Sequence, residues 1–477
     1  MNAQITVRAS PGVPEQTDRL QRIQALAEIW GSLYLFHPGI GQRVSQRDWD
    51  QVFITALLQV EQAANPAAVM DAIQAHVVQP LADCLPSVQR ACMDLDRRVH
   101  AGWNEDGYPY VYGQKWEHGE GPPGPFFRPE PPPRAPGPSE TNSLSRAERI
   151  LGLCKVWIVL RYLAPQIALS ELDLDTLLSD WLDRVQAAAS VEEYYRVLET
   201  MAAKLSDPHA GVIAPAEWPP HAAKNDGPAA RPPFKRTLLG SAWLGGMRYL
   251  RALPGNLVYM IPFAMPEVTA LKETFALIQN TNGLILELRG YPKTHFQHEL
   301  VRCLCQTPAL SPRYEIPVIG EYASPIGEYV SPIGEYASPS GPDEQKRSWK
   351  VIQHTIQPDG RAVYTKPVVA LIDETTASSA EDFCMYLKIA GRVTFVGRRT
   401  AGCVGNATYV NLPGGGRFTF TGMRVTWPDG SPVWGIGIVP DVSVEPEHNG
   451  VKAGRDLVLE KGLETLQALC IHEPVPH

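Results

Sequence analysis

The chain has 477 residues, a net charge of −8 and a pI near 5.9, with 44% hydrophobic and 20% charged residues. That length points to two or three domains, and an acidic balance without a concentrated run of Lys and Arg excludes a nucleic-acid partner. There is no apolar window of about 18 residues, and Met1–Arg8 lacks a basic stretch leading into an apolar run, so neither a membrane span nor a secretory signal is expected.

In chain order, the first feature is an internal repeat. Residues 19–38 (RLQRIQALAEIWGSLYLFHP) align with 146–165 (RAERILGLCKVWIVLRYLAP), matching Trp30 to Trp157 and Pro38 to Pro165. Each copy runs into an acidic segment, Asp48-Trp49-Asp50 and Asp173-Leu174-Asp175. Helices are then predicted over 51–62 and 176–188, and again over 67–78 and 191–205. Apolar residues at i, i+3, i+4 and i+7, such as Leu20, Ile23, Leu26, Ala27 and Trp30, mark amphipathic helices. The pattern is that of a duplicated three-helix unit sharing one apolar face. The copies end in Leu81-Ala82-Asp83-Cys84-Leu85 and Leu205-Ser206-Asp207-Pro208-His209, so His209 stands where the first copy has Leu85.

Between the copies, the aromatic and glycine-rich residues 102–116 predict a hairpin, and 121–138 (GPPGPFFRPEPPPRAPGP) an extended polyproline-like linker. Residues 213–236 read as a loop. From about 239 onward strands and helices alternate. Strands are expected at 257–261, 283–288, 368–373 and 393–396, and helices at 268–278, 294–305 and 378–389. An antiparallel pair is expected across 407–427. This is an α/β core, of mixed α+β character overall. One insertion interrupts it: residues 319–325, 326–332 and 333–339 read IGEYASP, IGEYVSP and IGEYASP. A proline in each unit excludes a coiled coil, leaving a low-complexity surface loop, or else a tyrosine-bearing arm that touches substrate or another subunit. The domain layout is therefore a helical unit at 1–90, a linker at 91–144, a second helical unit at 145–217 carrying His209, and an α/β core at 218–450 with the repeat loop at 317–342. A C-terminal helix and tail follow at 451–477. The eight cysteines contain no CxxC pair, so reduced thiols in a cytosolic protein are expected, with no metal and no cofactor.

The strand VVALID runs through a short turn into a helix that begins at Ser378. A side chain there sits at the carboxyl end of a buried strand, where α/β proteins bind ligands. It also sits at a helix N-terminus, whose N–H groups favour a developing oxyanion. Ser378 is thus a candidate nucleophile and the Ser379 N–H a candidate oxyanion donor. A plain helix cap is the structural alternative, since Ser378-x-x-Glu381 fits a capping box.

Several segments in order carry a resemblance. PVVALIDETTASSAEDF, GRVTFVGRRTAG and WGIGIVPDVSVE, with GNLVYMIPF and GLILELRG upstream and Leu205-Ser206-Asp207-Pro208-His209 before them, resemble the tail-specific (C-terminal-processing) protease family. The resemblance covers about 145–445 and the duplicate unit at 19–90. It implies a crotonase/ClpP-like core of β-β-α units behind a helical domain, a serine peptidase activity, and a peptide or peptide-like substrate. With the charge and the lack of a long apolar window, no nucleic-acid or membrane partner is expected, and a homo-oligomer stays open. The third residue of the Ser/Thr-Ala-Ser element, here Ser378, is the implied nucleophile. Where one branch has a catalytic lysine this chain has Cys403, so the implied base is the histidine of the tricorn-like branch, His209. Gly290 is the second implied oxyanion donor. The chain departs from the pattern at Pro208, where that branch has Ser, at Trp434, where it has an acid, and at Tyr291-Pro292-Lys293, where the family has a glycine-rich turn. Asp207, Glu381 and Asp429 are the carboxylates left to orient His209. Cys403 is a small buried residue or an accessory group, and His295 and His298 read as solvated helix-face residues. Residues 236–262 are too short for a PDZ module.

Two other functions remain open in the sequence. The same fold could serve another acyl-transfer or non-hydrolytic tailoring reaction on a peptide or small metabolite, in which case activity would survive loss of Ser378 but not of Cys403. Or it could be a non-catalytic ligand-binding protein, indifferent to loss of His209.

Overall fold

The computed structural model describes residues 19–36, 46–79, 101–103, 109–111, 143–164, 166–167, 172–215, 249–265, 270–292, 297–317, 349–359, 363–405, 407–445 and 455–472. The IGEYxSP repeats, the linker at 121–138, His295 and the side chain of His298 lie outside them.

Two sets of helices form one body. The first set is α1 (Arg19–Phe36), α2 (Gln46–Gln62) and α3 (Pro66–Ile73). The second is α4 (Arg146–Leu163), α5 (Leu174–Ala187) and α6 (Val191–Ala202). Their starts are set by side-chain caps that satisfy otherwise orphaned N–H groups. Asn65 accepts from Ala68 N–H ahead of Pro66, Ser145 forms a capping box with Glu148, and Ser190 accepts from Glu193 N–H. Aligned residues of the two sets make the same contact: Trp30 Nε1 donates to the Trp49 carbonyl at 2.9 Å and Trp157 Nε1 to the Leu174 carbonyl at 3.0 Å. Where α1 crosses α4, Gly31 abuts Ile158, its own aligned position. A Cβ on Gly31 would lie 2.5 Å from that side chain. Thirteen of the 18 residues of α4 are buried, so it has no polar stripe. The first set covers one side, and α5 and the sheet residues described below cover the other. Between the two sets, Lys155 Nζ meets Asp50 Oδ2 at 2.6 Å with the lysine side chain 2% exposed.

A six-stranded sheet forms the second body. Its order is β16 (Val442–Ser443), β12 (Val393–Gly397), β11 (Val368–Ile372), β6 (Gly283–Glu287), β5 (Leu257–Met260) and β4 (Leu250–Leu253). All neighbours are parallel except β4 and β5. Alternate residues of β11 enter opposite cores. Val368, Ala370 and Ile372 pack with Phe383 of α9 (Ser379–Ile389) and with Phe275 of α7 (Ala270–Ile278). Val369 and Leu371 pack with Val458, Leu459 and Leu466 of α10 (Leu457–His472). Burial on both faces explains the unbroken apolar run. The helix expected over 294–305 is described as α8 (Gln297–Arg302).

A hairpin of the α/β segment joins the helical body. β13 (Ala407–Asn411) and β14 (Arg417–Thr421) form the expected hairpin, and β3 (Gly211–Ile213) pairs with β14 from the other side. Val410, Leu412, Phe418 and Phe420 bury themselves in the helical core. The hairpin, sequentially part of the 218–450 segment, thus packs on the helices. The antiparallel run expected through 427 breaks after Thr421. β15 (Arg424–Thr426) leaves the hairpin and pairs with β8 (Arg313–Pro317), which also pairs with β9 (Trp349–Ile352). Short pairs join β7 (Ala309–Leu310) to β10 (Thr355–Ile356) and β1 (Ala101–Trp103) to β2 (Pro109–Val111). Among the described residues no helix is long and apolar enough to cross a membrane.

Candidate active site

Ser378 follows the carboxyl end of β11 and caps α9. Its backbone lies at φ +52°, ψ −117°, a region that favours glycine and that a serine occupies only when its surroundings impose it. The imposing partner is Glu381. Its carboxylate is fully buried and accepts four hydrogen bonds: Ser378 N–H at 3.1 Å and Cys403 N–H at 2.8 Å on one oxygen, Gly402 N–H at 2.7 Å and the Thr400 hydroxyl at 2.6 Å on the other. A carboxylate saturated in this way is tolerated without a cation. It clamps the Ser378 turn to the 400–403 loop. Glu381 is therefore a helix-capping residue for Ser378 and does not orient His209. Thr376 fixes the other side of the turn, with its hydroxyl donating to the Leu288 carbonyl at 3.0 Å. That carbonyl lies one residue past β6, the parallel neighbour of β11. Gly290 follows two residues later at φ +125°, where a Cβ would meet nothing within 4 Å. The conformation, not the space, requires glycine. Arg289, beside it, is locked between Glu287 (2.6 Å) and Asp456 (2.8 Å) with its side chain 2% exposed.

His209 comes from the other body by strand register. β3 and β14 pair Gly211 with Thr419 and Ile213 with Arg417. Continuing the register by two residues sets His209 opposite Thr421. His209 Nδ1 lies 2.8 Å from Thr421 Oγ1, and Thr421 Oγ1 donates to Asp207 Oδ1 at 2.7 Å. Asp207 also accepts Thr421 N–H at 2.7 Å and His209 N–H at 3.0 Å. Pro208 sits at the second position of a turn closed by Ala210 N–H to the Asp207 carbonyl at 2.9 Å, a position that favours proline. The residue that departs from the family pattern thus makes the turn that carries His209.

Gly405 contacts one candidate and Thr421 the other. The Ser378 hydroxyl donates to the Gly405 carbonyl at 3.2 Å. A Cβ on Gly405 would lie 2.6 Å from Thr421 Cγ2. Gly405, bonded to Ser378, and Thr421, bonded to His209, are thus close neighbours. Asp429 stands apart. It is exposed, and its carboxylate accepts the Ser431 N–H and hydroxyl, bonds that lower its pKa. Cys403 is 2% exposed, and its thiol is pushed far above the usual range by burial first and by the Glu381 charge second. It stays protonated at neutral pH, which argues against a nucleophilic thiolate. Trp434 is half-buried next to Gly435, whose N–H donates to the Gly402 carbonyl at 2.7 Å. Among the described residues, no group of three or more His, Cys, Asp or Glu could hold a metal.

Residues 326–444 match the family model described as Peptidase family S41. This stretch is thus similar to peptidase family S41, the family of the tail-specific proteases. An uncharacterised protein of Chlamydia muridarum is 32% identical over 100 residues, which span 20% of this chain and 17% of that protein. Among solved structures, a candidate peptidase from Parabacteroides merdae aligns over 68% of this chain and 97% of its own at 17% identity and a TM-score of 0.51. Mature CPAF, solved in complex with lactacystin, aligns over 69% of this chain and 99% of its own at 14% identity and a TM-score of 0.52. At those identities the likeness is one of fold.

Proposed function

We propose that this S41-like protein is a serine peptidase in which Ser378 forms the acyl-enzyme and His209 is the general base. The observation that carries the reading is that Gly405, which accepts from Ser378 at the start of a helix, lies beside Thr421, which bonds His209. The Ser378 hydroxyl turns away from the Gly405 carbonyl and gives its proton to His209 Nε2 as Oγ attacks the substrate carbonyl carbon. The tetrahedral oxyanion is held by the N–H groups of Ser379, in the first turn of α9, and Gly290. The imidazolium returns the proton to the departing amine, the C–N bond breaks, and water repeats the cycle on the acyl-serine. Because the base and nucleophile sit on different bodies, closure of one on the other would regulate turnover. The same reading takes the sheet as a crotonase-like β-β-α spiral and the helical body as a duplication, supported by the matched Trp30 and Trp157 bonds. It assigns a peptide substrate and a reducing compartment, the latter supported by six free thiols among the described residues.

A fluorophosphonate probe tests the reading. Ser378 should be labelled, Ser378→Ala should abolish labelling and peptide cleavage, and His209→Ala should slow both by roughly 10²–10⁴-fold. A wild-type chain that neither labels nor cleaves a mixed peptide library would overturn it. Activity that survives Ser378→Ala but not Cys403→Ala would favour a different acyl transfer on the same fold.

A further inference from the structure

We infer that Thr421 is a positioning residue that fixes the tautomer of His209 and carries the influence of Asp207 to it, so that the base is oriented through a hydroxyl relay and not by direct contact with a carboxylate. This deepens the reading above and rests on it.

The argument is one of hydrogen count. An ionised carboxylate only accepts. Thr421 Oγ1 has one proton, and at 2.7 Å from Asp207 Oδ1 that proton is committed to the carboxylate. Oγ1 can then only accept from His209 Nδ1 at 2.8 Å. The proton of the neutral imidazole is therefore on Nδ1, and the lone pair is on Nε2, the state a general base needs. Direct contact cannot do this work: Asp207 Oδ1 is 3.9 Å from His209 Nδ1, beyond hydrogen-bond reach. Asp207 cannot rotate toward the ring either. Its oxygens also hold Thr421 N–H and His209 N–H, and its side chain is 8% exposed. The arrangement is specific to the strand register, because only pairing Gly211 with Thr419 sets Thr421 opposite His209.

The relay also answers what replaces the carboxylate missing at Trp434. The negative charge is supplied from within the histidine's own turn, two residues upstream, and is relayed across the sheet by a threonine. A serine would preserve it. Valine, which is isosteric with threonine but has no hydroxyl, would leave Nδ1 without the acceptor that selects its proton.

Two measurements test the inference. The first uses ¹⁵N-histidine-labelled wild-type protein at mildly alkaline pH, with the His209 ring signals assigned by their loss in His209→Gln. The ring-nitrogen shifts should report a proton on Nδ1, and a proton on Nε2 would overturn the relay. The second compares Thr421→Val with Thr421→Ser in the full-length chain. Valine should abolish the Nδ1–H preference and lower kcat by about 10²-fold with little change in KM, the pattern of a base in the wrong tautomer. Serine should restore both. Wild-type ring shifts and kcat in Thr421→Val would sink the proposal. Should the wild-type chain fail to label or turn over, the peptidase reading falls, and the ring-nitrogen shifts still decide the relay by themselves.

Discussion

Ser378 holds a backbone conformation that costs about 1–3 kcal/mol for a residue with a Cβ. A comparison of two inactive variants isolates that cost, since both lose the hydroxyl bond to Gly405. Ser378→Gly should be more stable than Ser378→Ala by about 1 kcal/mol, after glycine's extra unfolded-state freedom offsets part of the relief. Equal denaturation midpoints would mean that the turn is unstrained. The neighbouring carboxylate gives the opposite expectation. Glu381→Gln presents an amide NH₂ to N–H donors that now meet an oxygen, and should cost about 2–4 kcal/mol by chemical denaturation. Cys403→Ala keeps the backbone N–H that Glu381 uses, so Ser378 labelling should persist. Alkylation of Cys403 in the native protein should be negligible at neutral pH, because its raised pKa keeps it a thiol below and through that range. Fast native-state alkylation would contradict this. At this scale Ser378 was singled out by its place between an apolar strand and a helix, Glu381 by the capping-box spacing, and His209 by its contrast with Leu85 and by the family resemblance. Thr421 and Gly405 were not. Nothing in ATYVNLP or FTFTGM distinguishes one threonine from the next, and only the strand partner decides which one faces His209.

Among the elements, strand and helix interiors followed their periodicity, whereas pairing partners did not. The run FTFTGMRVTW reads as one strand, yet Thr421 and Arg424 belong to different sheets. Gly422 marks the change: a Cβ there would lie 2.6 Å from Thr408 Oγ1. The docking of α10 was also hidden, because its anchor is a buried charge network that links three distant segments. Arg289 bonds Glu287 and Asp456 at once, and Tyr259 donates to Glu287 Oε2 at 2.8 Å. Removing the guanidinium strands two carboxylates in a site where it was 2% exposed, so Arg289→Ala should cost about 3–5 kcal/mol. Arg455→Ala, which breaks an exposed pair with Glu460 near the same helix start, should cost under about 1 kcal/mol. Similar losses from the two variants, measured by urea denaturation, would show that burial of the network contributes nothing.

For the whole molecule, the first helical set lacks the histidine and ends in Leu85, yet it shares one core with the set that carries His209, as a shared apolar face predicts. α4 is buried nearly all round, and the hairpin that carries Thr421 shares its core. Whatever loosens α1 on α4 is therefore transmitted to the strand that holds His209. Two variants test this at different severity. Deleting residues 1–90 would bare Ile158 and leave Lys155 without Asp50, so the product should aggregate on size exclusion. Gly31→Val keeps the chain length and acts only at the crossing, where a Cβ already falls 2.5 Å from Ile158. Overpacking of a tight core costs roughly 1–3 kcal/mol, so this variant should melt several degrees lower. Fluorophosphonate labelling of Ser378 should slow as well, although Gly31 belongs to the set that lacks the histidine. A 1–90 deletion that stays monomeric and labels at the wild-type rate would instead make the first set a detachable accessory, with the catalytic pair held by the second set alone.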